Sequence, residues 1–123
     1  MTYAIALRIT GISGFLAVCL GAFGAHGLHN VLVQNDRLAN WETAVLYHLV
    51  HTGVMLFVCL RTPFFAGQWR AFFFGNLIFS GSLYVLSLTN VTKLGMITPF
   101  GGAAYLVGWL MLAFQRTPAP KAQ

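Results

Sequence analysis

The stretch Asn40 to Leu60, NWETAVLYHLVHTGVMLFVCL, decides how the chain is read. It offers about 20 mostly apolar residues, enough for a helix to cross a hydrocarbon layer about 30 Å thick. Two histidines, His48 and His51, stand inside it. Ionisable side chains at that depth need partners and turn toward protein rather than acyl chains. Other helices must therefore cover this one.

The flanking sequence supplies them. Similar apolar runs lie on both sides, which predicts an all-α membrane protein: four transmembrane helices in a compact bundle over residues 1–116, with spans at about 4–25, 41–60, 71–88 and 97–115. The first run is longer than the apolar core of about 7–15 residues in a secretory signal, so it is expected to remain as a span. Thr117 to Gln123, with Pro118 and Pro120, is expected to be a disordered cytoplasmic tail.

Composition agrees. The 123 residues are 58% hydrophobic and 7% charged, where a soluble domain carries about 25% charged residues. The net charge of +5 is spread over isolated Lys and Arg residues at the ends of apolar runs, which excludes a nucleic-acid-binding face and fits lipid headgroups. Arg8, Arg61, Arg70, Arg116 and Lys121 fall on one side of a four-span arrangement, and Arg37 and Lys93 on the other. The positive-inside rule then predicts both termini in the cytoplasm. Cys19 and Cys59 come out roughly 20 Å apart, too far for a disulfide.

Local signals refine the spans. Ala17, Gly21 and Ala25 give the first helix a face for close packing. Between the first two spans, Leu28, Val31, Leu32, Asn35 and Leu38 follow the spacing of a short interfacial helix, with Asp36 and Arg37 toward water. Asn40 reads as the N-cap of the second span, and Phe64, Phe65 and Trp69 as interfacial residues of the loop from Arg61 to Arg70. In the third span, Asn76, Ser80 and Ser87 share an arc with Tyr84 at its edge. Thr98 and Pro99 open the fourth, where Gly101, Ala104 and Gly108 make a small-residue stripe.

These positions converge on the outer half of the bundle. His26, Glu42, His48, His51, Ser80, Tyr84, Ser87 and Thr98 are the candidate residues of a polar network or pocket open to the outer side. His48 and His51 are three apart and continue toward Met55 and Cys59, a stripe whose soft ligands suit copper as Cu(I) and whose paired imidazoles suit haem or zinc. Hydrogen bonding to Ser80, Tyr84 or a backbone carbonyl, and proton relay, are the other two roles open to them. No nucleophile elbow, Walker loop, zinc-protease motif or dinucleotide fingerprint accompanies Ser80-Gly81-Ser82, so no catalytic residues are predicted.

Four ordered strings, GAFGAHGL (Gly21 to Leu28), WETAVLYHLVH (Trp41 to His51), FSGSLYVLSLT (Phe79 to Thr89) and LGMITPFGGAAYLVGW (Leu94 to Trp109), closely resemble the small transmembrane protein 256 family, also called domain of unknown function 423. The resemblance spans nearly the whole chain. It implies a four-helix protein of the bacterial inner membrane without an established biochemical activity. Its motif residues here are His26, Trp41, His51, Ser80, Gly81, Ser82, Tyr84, Thr98, Pro99, Gly101, Gly102 and Trp109. The functional expectation is a non-enzymatic bundle, without a cofactor, that organises the bilayer or binds a membrane-protein partner or a second copy. The alternative is a small oligomeric transporter or metal or haem carrier built on the two histidines.

Overall fold

Leu38–Leu60 forms one unbroken helix, α3, in the computed structural model, which describes residues 1–116. Before it come α1 (Tyr3–Ala25) and the short α2 (His29–Gln34). After it, α4 (Ala66–Gly75) runs through a π turn (Asn76–Ser80) into α5 (Gly81–Thr89), and these three make one continuous third span. A 3-10 turn (Thr92–Met96) leads to α6 (Thr98–Ala113). Four helices are long and apolar enough to cross a membrane, and the described residues contain no strand. The expected tail lies outside the described residues.

The antiparallel pair α1 and α3 is set by small residues. A methyl group on Gly14 would touch Thr52, one on Gly21 would touch Val45, and one on Gly24 would collide with the Trp41 indole. Trp41, held there, donates from Nε1 to Leu20 O at 2.9 Å. The small face therefore runs through Ala17, Gly21 and Gly24, and Ala25 is exposed. In turn α3 packs against the third span, and α4 packs against α6. Large apolar side chains cover the outside, Phe15 at 68% exposure among them, as a surface solvated by acyl chains requires.

Three local expectations change. Helix α3 begins at Leu38 rather than at an Asn40 cap, because Asp36 takes the left-handed conformation (φ 56) that its short side chain tolerates. The third span begins at Ala66, so Trp69 is helical and 1% exposed instead of interfacial. Burial is compensated by a 2.9 Å hydrogen bond from its indole N–H to Thr10 Oγ1. The helix between the first two spans is shorter than its pattern and covers only His29–Gln34, with Leu32 buried. Past its end Asn35 turns inward and donates to Ser87 O at 3.0 Å, and half-buried Arg37 donates from Nε to Asn90 Oδ1 at 2.8 Å. These bonds fasten α2 to the end of α5.

Spans one and three touch where Trp69 meets Thr10 and then diverge. Between them, over α3, lies a laterally open groove of about 270 Å³ near mid-span. Its walls are Ile9, Ile12, Leu16 and Leu20 from α1 and Phe73 and Leu77 from the third span; Ser13, His48, Asn76 and Tyr84 also line it, with almost no polar surface turned into the groove.

Candidate functional site

The groove floor is one end of a hydrogen-bonded series that takes at least one residue from each span. Tyr105 on α6 donates to Asn76 Oδ1 at 2.7 Å. Asn76 Nδ2 donates to Thr52 Oγ1 at 3.3 Å and, with its other hydrogen, reaches Met55 Sδ at 3.4 Å. Thr52 Oγ1 lies 2.8 Å from Ser13 Oγ, Ser13 Oγ lies 3.1 Å from His48 Nε2, and His48 Nδ1 lies 3.0 Å from the Tyr84 hydroxyl. In hydrocarbon each unmade bond is costly, so these groups hold the spans in register.

Donor counting fixes one end of the series. An amide nitrogen only donates, so the Thr52 oxygen accepts from Asn76. Thr52 makes no bond to a carbonyl among the described residues, unlike Thr10, which donates to Ala6 O at 2.8 Å. A hydroxyl oxygen has two lone pairs, so Thr52 can accept from Ser13 as well, and the protons shared among Thr52, Ser13, His48 and Tyr84 can be ordered in either direction. The Tyr84 side chain lines the groove.

His51 belongs to a different interface. Trp109 Nε1, which can only donate, points at His51 Nε2 at 3.1 Å, and His51 Nδ1 meets Tyr47 O at 2.8 Å. The neutral Nδ1–H tautomer alone satisfies both. The imidazole also stacks on Tyr105 with centroids 3.7 Å apart and planes 12° apart. It faces a groove formed with Pro99, Gly102 and Trp109, away from His48. A three-residue step turns a helix by about 60°, and α3 has neighbours on several sides, so that angle sends the two rings to different helices.

The remaining predicted residues are dispersed. Glu42 lines a second groove of about 460 Å³ with His29 and Trp41, about 120° round the helix from His48. His26 is exposed at the end of α1 and makes no contact with that groove. Ser80 donates to Ala44 O at 2.8 Å and Ser87 to Leu83 O at 2.7 Å, while Thr98 lies 2.6 Å from Ser82 Oγ. Of the eight, the structure joins His48 and Tyr84 directly. Both ring nitrogens of both buried histidines are engaged. No group of three or more His, Cys, Asp or Glu side chains comes together as a metal site among the described residues.

Ser13, Thr52, Asn76 and Tyr105 complete the series. Ser13 lies four before Ala17 on the small face of α1, and Tyr105 lies between Gly101 and Trp109 at four-residue spacing. Those phases were legible signals for an inward direction.

Comparison with known proteins agrees with a membrane bundle. The family model described as "Protein of unknown function (DUF423)" matches residues 20–102. UPF0382 membrane protein YwdK of Bacillus subtilis is 41% identical over 108 residues, covering 82% of this chain and 86% of the relative. A UPF0382 membrane protein of Staphylococcus saprophyticus is 43% identical over 105 residues, covering 82% and 87%. UPF0382 inner membrane protein YgdD of Escherichia coli is 35% identical over 118 residues, covering 91% and 88%. No solved structure matches the chain. With a family match over most of its length and relatives aligned nearly end to end, this multi-pass membrane protein belongs to the DUF423 family.

Proposed function

We propose that the protein is a non-catalytic bundle of the bacterial inner membrane that binds a partner molecule from the lipid phase in the groove between α1 and the third span. The observation that carries this is an open lateral mouth between apolar walls, over a floor whose polar side chains are already engaged in hydrogen bonds within the bundle. A gap that served packing alone would be closed by side chains, because helix association in lipid depends on close contact. Small-molecule sites are concave and predominantly apolar in the same way.

Substituting Gly81→Leu tests it. No atom lies within 4 Å of where a Cβ would stand on Gly81, which lines the groove, so a larger side chain there enters open space. Protein purified from native membranes is expected to carry a neutral lipid-phase molecule at about one per chain, and the variant to lose it, as read by extraction and mass spectrometry. The same extract from both proteins would defeat the reading.

The orientation we propose has both termini in the cytoplasm. Arg8, Arg61, Arg70 and Arg116 are at the end of the bundle where the chain starts, Arg37 and Lys93 at the other, and an Escherichia coli relative is named an inner membrane protein. Gly95→Cys, in a background without Cys19 and Cys59, is expected to react with a membrane-impermeant maleimide on cells whose inner membrane is intact. Reaction only after that membrane is broken would reverse the orientation.

A further inference from the structure

We infer that the second groove, between α1 and α3 at the end where α1 stops, holds an aminophospholipid, its primary ammonium on Glu42 and the last carbonyls of α1 and one acyl chain running down the groove. This site is separate from the groove between α1 and the third span and does not depend on it.

The mouth of the second groove collects acceptors. Helix α1 ends at Ala25 and the chain turns at once: the His26 N–H bonds back to Ala22 O and Phe23 O, that of Leu28 to Phe23 O and that of His29 to His26 O. The carbonyls of Gly24 and Ala25 are thereby left without a donor among the described residues. Both residues line the groove, and helix carbonyls point toward the C-terminal end, where the helix dipole is negative. Glu42 lines the same mouth from the antiparallel helix and is exposed. Its carboxylate has no ion pair among the described residues, and no Lys or Arg lines the groove. The Trp41 indole N–H already donates to Leu20 O. One carboxylate and two free carbonyls are complementary to a cation with several N–H bonds, and a primary ammonium carries three.

Shape identifies what carries the ammonium. From Glu42 to Leu49 the groove descends about 10 Å, with Val45, Leu46 and Leu49 on one side and Gly21, which adds no side chain, on the other. A soluble amine leaves that apolar trough empty, whereas an acyl chain fills it. The headgroup phosphate finds donors at the same mouth. His29 lines it and makes no side-chain hydrogen bond among the described residues, and the N–H groups of Leu38, Ala39 and Asn40 in the first turn of α3 have no intrahelical acceptor. A purely anionic headgroup would meet Glu42 with like charge. A choline headgroup is cationic but has no N–H to give the carbonyls. Phosphatidylethanolamine meets each condition.

The experiment is native mass spectrometry of the delipidated protein in detergent, titrated with phosphatidylethanolamine, its N-methylated forms up to phosphatidylcholine, and phosphatidylglycerol, all with the same acyl chains. Wild type is expected to take up one phosphatidylethanolamine per chain, and Glu42→Gln to bind it about tenfold more weakly for the loss of one charge-assisted hydrogen bond. Phosphatidylcholine and phosphatidylglycerol should each bind wild type about tenfold more weakly than phosphatidylethanolamine does. Ala25→Leu, which fills the mouth, should lose the lipid, and Gly81→Leu, which fills the other groove, should keep it. Should Ala25→Leu fail to fold, Leu46→Trp, at a wall position 59% exposed, takes its place. Equal affinities along the N-methylated series, or for wild type and Glu42→Gln, overturn the ammonium contacts. Loss of the lipid in Gly81→Leu with retention in Ala25→Leu puts it in the other groove and overturns this site. Glycerophosphoethanolamine, the headgroup without chains, should not displace the bound lipid; displacement at equal concentration overturns the lipid as occupant in favour of a soluble amine.

Discussion

Replacing Gly101 with alanine is expected to destabilise the bundle by about 3 kcal/mol, the upper end of what overpacking by one methyl group costs. The added Cβ would collide with the backbone nitrogen of Phe79 and lie 2.7 Å from its Cα. A side chain in the way could rotate, but a backbone cannot. Phe79 is inside the π turn, whose wider coil brings its main chain against α6, and the neighbouring turns are held by Asn76 bonded to Tyr105 and Ser80 bonded to Ala44. Relief therefore requires α6 to move away from the third span, which also loosens Tyr105 and Gly108 where they meet Gly75 and Phe72. Gly102 is the internal control. A Cβ there would meet only Phe79 Cδ2 at 3.9 Å, an ordinary contact. Gly102→Ala should be neutral or stabilising by up to about 1 kcal/mol through helix propensity. Unfolding of both variants in mixed micelles under increasing denaturing detergent gives the comparison. Equal stabilities for the two would mean that α6 does not approach the π turn as closely as described.

The sequence predicts four spans because runs of about 20 apolar residues admit few other structures. What it misplaces follows from side-chain partners that lie far away along the chain. Gly67-Gln68-Trp69-Arg70 resembles a loop when read locally, yet it is helical, with the Trp69 indole paired to Thr10 across the bundle. Helical phase correctly turns Asn76, Ser80 and Ser87 inward, since each polar group must avoid lipid. Phase does not reveal which helix each residue meets. His48 and His51, buried to 8% and 6% exposure, were assigned one face by spacing. They serve separate interfaces because α3 is flanked on both sides, a property of the assembled bundle. The π turn left no signature in composition or spacing.

Asn76→Leu is expected to cost about 3 kcal/mol, although leucine fills a similar volume and suits a buried position. Three partners lose their counterpart at once: the Tyr105 hydroxyl, Thr52 Oγ1 and Met55 Sδ. Interhelical hydrogen bonds in membranes average about 0.6 kcal/mol and reach about 1.7, and leaving a buried hydroxyl unpaired adds to that. Tyr105 bears most of it, since its ring is fixed by stacking on His51 with its hydroxyl aimed at Asn76 Oδ1. Tyr105→Phe removes that hydroxyl and should recover about 1 kcal/mol when added to Asn76→Leu, because deleting both partners of a buried bond costs less than deleting one. Additive losses in stability for the Asn76 and Tyr105 pair would show that the bond between them does not join the third and fourth spans, and the series would lose its first donor.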